Sequence, residues 1–355
     1  MKKPLAIAIA LALPPFAHAQ SAVTLYGLID TGLTYVSNAG GKSEVVAADG
    51  VIQPSRFGLR GTEDLGGGTR VVFTLENGFS LNTGADSQPG LMFGRQAFVG
   101  LISNKWGSLT FGRQYDFIWD YITLFSIGSR LGAYGFHPGD YDHLGGSLRI
   151  DTSVKYSVTP IAGLSLGTLY AFGADPDSTG NGRVVAAGVQ YSGGLFGAAF
   201  AYNNVHGMTL NPAAQIGTTL GAPVPSGSFV ASNMQNIEAA ASVTFGPSST
   251  RALFTATTIN YRSASVTMRS YEISEVYQIT PALSASAGFS LTRMSPSTWH
   301  VASAILDYSL SKRTDVYLSA AYQSVTGGAR ATFLTLPASS NGHNVAARVG
   351  IRTLF

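Results

Sequence analysis

The sequence predicts an all-β fold: a 16-stranded antiparallel transmembrane β-barrel with its apolar face turned outward. Three observations carry that prediction. Hydrophobic residues recur at every second position along most of the chain, the period of a half-buried strand. Composition is lean in charge, with 12% charged residues, 42 glycines and no cysteine, which suits a membrane barrel better than a small disulfide-dependent secreted domain. Short turn signals alternate with longer polar segments in a regular rhythm.

The chain opens on "MKKPLAIAIALALPPFAHA", with two lysines, an apolar run from Leu5 to Leu13 and the small-residue pattern Ala17-His18-Ala19. This predicts a cleaved signal peptide over 1–19 and a single barrel domain over 20–355. The run is too short and wrongly flanked for a spanning helix, and no later stretch is long and apolar enough for one. Cleavage removes two lysines, so the formal charge falls from +3 to +1 (3 − 2). A nearly neutral mature chain gives no case for a nucleic-acid partner. With 45% hydrophobic residues, disorder is excluded as well.

Strand by strand, the alternation is explicit. "AVTLYGLIDTGLTYV" sets Val23, Leu25, Ile29, Leu33 and Tyr35 against Thr24, Tyr26 and Asp30. "RVVFTLENGF" sets Val71, Phe73 and Leu75 against Arg70, Thr74 and Glu76. "LRIDTSVKYSV" and "PALSASAGFSL" repeat the pattern, the second with serines on its polar face. Seven short breaks fall at "EDLGGGT", "SNKWGS", "VTPIAG", "YSGGLF", "FGPSST", "QITPAL" and "LSKRTD". Eight other connections lie near 37–50, 80–91, 116–147, 174–182, 207–235, 262–267, 294–298 and 326–342. Together they delimit sixteen strands of about ten residues, enough to cross a bilayer when tilted. Both ends then fall on the short-turn, periplasmic side. The last strand, "VAARVGIRTLF", alternates up to Phe355 and has to pair with the first, because lipid offers no partner to an open edge.

Several stretches resemble the trimeric general porins of β-proteobacterial outer membranes. They are "SAVTLYGLIDTGL", "SRFGLRGTEDLGGG", "RQAFVGL" followed by "GSLTFGRQYD", "SVKY", "YQITPALSASAGF" and "DYSLSKRTDVYLSAAY", in order over 20–355. The resemblance implies a homotrimer in the cell outer membrane, among lipid and lipopolysaccharide, with a third loop folded into each lumen to constrict the pore. It also implies that Phe355 is an assembly signal read by the barrel-assembly machinery. Two positions depart from the family pattern. Glu275 shares the lipid-side parity of Tyr271, Ile273 and Tyr277. Arg113 shares the parity of Leu109 and Phe111, so facing inward requires a kink at Gly112.

A water-filled pore selects by its width and by its lining charges. Candidate constriction residues on the wall are Arg56, Arg60, Arg70, Arg95, Arg113 and Arg149, with Arg348 and Arg352 added by the last strand. Facing them, the third loop contributes Asp116, Asp120, Asp140 and Asp142. The slight arginine excess predicts weak anion preference among small hydrophilic solutes and ions. A plainer reading pairs the arginines with lumenal Asp30, Glu76 and Asp151 to stiffen the wall. The loop's aromatics, among them Tyr115, Phe117, Trp119, Phe125, Tyr134, Phe136 and Tyr141, are read as packing against the wall, ahead of a greasy track for sugars or aromatic acids. Tyr35, Tyr156, Tyr170, Tyr261, Tyr277, Tyr308 and Tyr322 suit interfacial girdles.

Two enzyme-like signals compete with this. "GLSLG" (Gly163 to Gly167) matches a nucleophile elbow, but Ser165 falls in an alternating strand rather than a strand-turn-helix. "HPGDYDH" gathers His137, Asp140, Asp142 and His143, a composition that could hold a metal and that Gly/Asp-rich loops also produce by chance. The sequence therefore predicts a channel with no catalytic residues, metal or cofactor. A substrate-selective porin and, further off, an outer-membrane barrel hydrolase are the alternatives. A secreted repeat adhesin would need a sequence period that is not found.

Overall fold

A computed structural model describes residues 22–173 and 180–355; the signal peptide and part of the predicted connection at 174–182 lie outside them. Sixteen wall strands follow one another around a closed antiparallel sheet. They are β1 (Ala22–Ala39), β2 (in two pieces, Lys42–Asp49 and Arg56–Gly66), β3 (Thr69–Gly78), β4 (Gln96–Ser103), β5 (Gly107–Gln114), β6 (Ile150–Ile161), β7 (Leu164–Phe172) and β8 (Arg183–Gly193). The second half comprises β9 (Phe196–His206), β10 (Asn233–Phe245), β11 (Ser248–Tyr261), β12 (Ala264–Gln278), β13 (Leu283–Met294), β14 (Ser297–Ser309), β15 (Thr314–Thr326) and β16 (His343–Leu354). Each pairs with the next, and β1 closes on β16 from Leu28↔Leu354 to Val36↔Ala346. The seven short turns stand where the sequence placed them, and Gly27 and Phe355 exchange backbone hydrogen bonds of 3.0 and 3.1 Å at that end.

Burial is inverted relative to a soluble protein. Along β15, Asp315, Tyr317, Ser319, Ala321 and Gln323 are buried on the inner face, while Leu318 and Tyr322 are exposed outward. The serines of β13 point inward in the same way. A strand with its polar row inside and its apolar row outside is stable only where the outside is lipid. Of the predicted girdle tyrosines, six are exposed; Tyr261 instead is half-buried and meets the ring of Phe229 edge-on at 5.2 Å.

Two features differ from the sequence expectation. The segments near 37–50, 262–267 and 294–298 shrink to two-residue hairpins, Gly40-Gly41, Arg262-Ser263 and Ser295-Pro296, because the flanking strands run further into them. The second difference is the break at 50–55, which divides β2. There Asp30 accepts from the backbone N–H groups of Ile52 (2.7 Å) and Gln53 (3.1 Å), so the bulge is pinned to β1.

The main apolar core lies inside the barrel, between the third loop (115–149) and the inner faces of β7 to β11. Phe117, Ile118, Ile122 and Phe125 pack there against Leu169, Ala171, Val184, Ala186, Ala201 and Leu253. Gly167 permits this approach, since a Cβ on it would stand 2.0 Å from the Phe117 ring. The last glycine of "GLSLG" thus serves loop docking, and among the described residues the Ser165 hydroxyl hydrogen-bonds only to that of Thr159 across the hairpin, at 3.2 Å. On the opposite side the loop is fastened to the bulge by a 2.8 Å bond from the Ala133 N–H to the Val51 carbonyl.

Candidate functional site

Strand periodicity places Tyr26 on β1, Arg56 and Arg60 on β2, Glu76 on β3 and Arg95 just before β4, all turned to the interior. Glu76 accepts from the Arg95 Nε at 2.8 Å and from the Tyr26 hydroxyl at 2.9 Å, and lies 3.6 Å from the Arg56 Nε. Arg60 stacks over the Tyr26 ring at 3.9 Å. Three guanidiniums therefore gather around one carboxylate. Arg149, at the end of the third loop, donates to the Tyr115 hydroxyl at 3.2 Å, and Tyr115 stacks on Trp119 at 4.7 Å.

Three interior cavities share these residues. One of about 340 Å³ is lined by Arg56, Trp119, Asp120, Leu124 and Phe136. A second, about 530 Å³, continues from Arg56 to Arg60, Tyr26 and Glu76. The third, about 490 Å³, shares Phe136 with the first and reaches Arg95 and Arg149. The positive charge thus runs past the loop in a row from Arg149 to Arg60.

Of the loop aspartates expected to oppose that row, Asp120 lines the first cavity, Asp140 borders the third but is buried, and Asp116 and Asp142 line none of the three. Asp116 is buried, accepting from the Asn203 amide at 2.7 Å and the Ile118 N–H at 3.1 Å. Asp140 is buried and accepts from the Gly145 N–H at 2.6 Å and the Ser147 N–H at 3.2 Å. Asp142 is buried against His137 Nδ1 at 2.5 Å and the Thr255 hydroxyl at 2.9 Å. The physical reason is backbone demand: an irregular loop inside a barrel has N–H groups that need acceptors, and these carboxylates supply them or the tether to the wall. Only Asp120 stays partly exposed, 2.5 Å from Lys155.

Burial raises the carboxyls of Asp116 and Asp140, the latter, with Asp142 beside it, to about 7. Burial works against a charge on His137, yet the carboxylates of Asp142 and Glu272 outweigh it and lift the imidazole to about 10. His143 has no such pairing, and burial pushes it down to about 4. Glu272 also accepts from the Ile127 N–H at 2.6 Å and the Ser126 hydroxyl at 3.1 Å, so His137 and Glu272 latch the loop to β12. Neither Glu272 nor Lys155 stood out in the sequence; both occupy inward parity on their strands, the one signal available. Among the described residues, no group of three or more His, Cys, Asp or Glu could hold a metal ion.

The remaining candidates separate. Gly112 takes φ +132° and the β5–β6 register shifts there, and Arg113 reaches Asp151 at 2.5 Å and the Gly94 carbonyl at 2.9 Å. Arg348 is buried with Asp30 at 3.5 Å, and Arg352 pairs with Asp307 and Asp315. These arginines stiffen the wall. Arg70 is exposed beside the β2–β3 turn, opposite Asp64, and is not brought to the cluster. Glu275 does lie on the outward face, where the Ser248 and Thr250 hydroxyls donate to it beside an external groove lined by Ala285, Ala287 and Ala304.

Residues 6–328 match the family described as Gram-negative porin. An outer membrane porin protein of Bordetella pertussis is 35% identical over 216 residues, which cover 54% of this chain and 56% of that protein. Outer membrane porin protein 32 of Delftia acidovorans is 33% identical over 211 residues, covering 56% and 58%. The match thus spans little more than half the length of either relative. Among solved structures, an anion-selective porin from Comamonas acidovorans superposes with a TM-score of 0.80 at 22% identity, covering 95% of this chain and all of that one. OmpT of Vibrio cholerae superposes with a TM-score of 0.69 at 15% identity over 94% of this chain and 99% of its own. At these identities the likeness is one of fold.

Proposed function

The chain belongs to the Gram-negative porin family, and on that premise we propose an outer-membrane channel through which small hydrophilic solutes and ions diffuse, with anions favoured. The third loop narrows the lumen beside Arg56, three barrels assemble side by side, and Phe355 serves the assembly machinery. One observation carries the preference: Arg56, Arg60, Arg95 and Arg149 line the three interior cavities, whereas Asp116 and Asp142 line none of them and Asp140, at the edge of the third, is buried and bonded to backbone amides. Where water is scarce, an ion responds to charges within about a Debye length, ~8 Å at physiological salt, and not to the net charge of the chain. Planar-bilayer reversal potentials in a potassium chloride gradient test this. Anion preference that fades at high salt is expected, and cation preference at neutral pH would overturn it.

A second reading keeps the fold and adds selectivity for organic acids. It is favoured by Leu124, 62% exposed, which lines the same cavity as Trp119, Phe136 and Arg56. A flux that saturates, with competition confined to carboxylates bearing an apolar body, would distinguish it from free diffusion.

A further inference from the structure

The outward face carries a pair of charges that the channel does not use. Arg269 on β12 and Arg293 on β13 are directly opposite in register, and both are exposed. Their chain neighbours Met268, Ser270, Thr292 and Met294 are all buried, so the two arginines project away from the lumen. Among the described residues neither is ion-paired. The row continues to Ala256 on β11 and Thr298 on β14, and the outward carboxylate of β12, Glu275, lies toward the other end of the strand. Like charges directly opposite on one face of a sheet repel. Something anionic from outside the chain would remove that repulsion.

Position along the barrel narrows the choice. The next outward residues toward the short-turn end are Tyr271 and Leu291, then Ile273 and Phe289, so the arginines stand where the apolar belt stops. They stand at the long-loop end, below the two-residue hairpins Arg262-Ser263 and Ser295-Pro296. Arginines on the lipid side at this level extend into headgroups, with their stems along the apolar belt. A guanidinium is shaped for bidentate bonds to phosphate, and two of them bracket one phosphate. Thr298 stands opposite Arg293 in the same row, and Thr267, whose hydroxyl meets that of Thr258 at 3.1 Å, is the next outward residue of β12 toward the hairpin.

We propose that Arg269 and Arg293 form a binding site for the phosphate of a phosphorylated glycolipid in the outer leaflet. This rests on the outer-membrane reading above. The occupant is a lipid because the site continues into the apolar belt, which acyl chains would cover.

The probe is bisphosphorylated lipid A, compared with its dephosphorylated form, added to the detergent-purified protein and counted by native mass spectrometry. Wild type should bind the phosphorylated form about tenfold tighter or more. The R269Q/R293Q double variant should lose that preference, and R269K/R293K should keep part of it. Heat-modifiable gel mobility and single-channel conductance, which depend on the inner face, should stay as in wild type. Equal binding by wild type and the glutamine variant would overturn the proposal. So would displacement of the lipid by inorganic phosphate at the same concentration, or dissociation of the oligomer with lipid binding unchanged. Binding is read in detergent and needs no channel, so a failure of conductance would count against the pore alone.

Discussion

Glu76 is shared by two guanidiniums and a phenol, and Arg56 is the member left partly open to the lumen, with 20% of its side chain exposed. Replacing Arg56 with Gln removes a charge beside the cavity of about 340 Å³, and the reversal potential should move toward cations. Arg70→Gln, at the turn opposite Asp64, should leave it nearly unchanged. Equal shifts from both variants would mean that the field is global rather than set at the cluster. The arginine cluster was legible because strand parity aims a side chain. The aspartates were not, because a loop has no period: Asp116 and Asp142 went to backbone amides and the wall, and Asp140, though at the edge of a cavity, is spent on the Gly145 and Ser147 N–H groups.

At the scale of elements, the third loop is held by a charged latch, His137 between Asp142 (2.5 Å) and Glu272 (3.2 Å). A histidine whose pKa rises to about 10 on docking contributes stability that is complete below its ordinary value near 6.5 and is lost as pH rises through 10. Asp140, raised to about 7, acts in the same direction, since its ionisation beside Asp142 opposes docking as pH climbs. Open-channel current noise should therefore grow between about pH 7 and pH 10, and H137Q should show high noise with a flatter pH dependence. Noise that is constant across that range in wild type would show that the latch does not govern the loop. Six of the seven turns were legible in Gly, Pro and Asn residues, the seventh in the polar break "LSKRTD", and the strands in their period of two. The break at 50–55 was not, since its cause, the anchor at Asp30 and the seat for Ala133, is tertiary.

Across the whole molecule, sixteen strands close because the first finds the last, and nearly every other pairing is between neighbours in the chain. Thr34 and Arg348, hydrogen-bonded across that seam, are 314 residues apart. Joining ends so distant costs about 4 kcal/mol more chain entropy than closing a hairpin of a few residues. Kinetically, the seam is then the last pairing to form, and until it does β1 and β16 are both unpaired edges able to recruit another chain. The chain has no cysteine, so Leu33→Cys and Val349→Cys, opposite each other in the seam, would supply the only two thiols. During refolding into detergent, that disulfide should appear after most of the sheet signal has developed. A bond formed early, with little sheet present, would place closure first and make the hairpins its consequence.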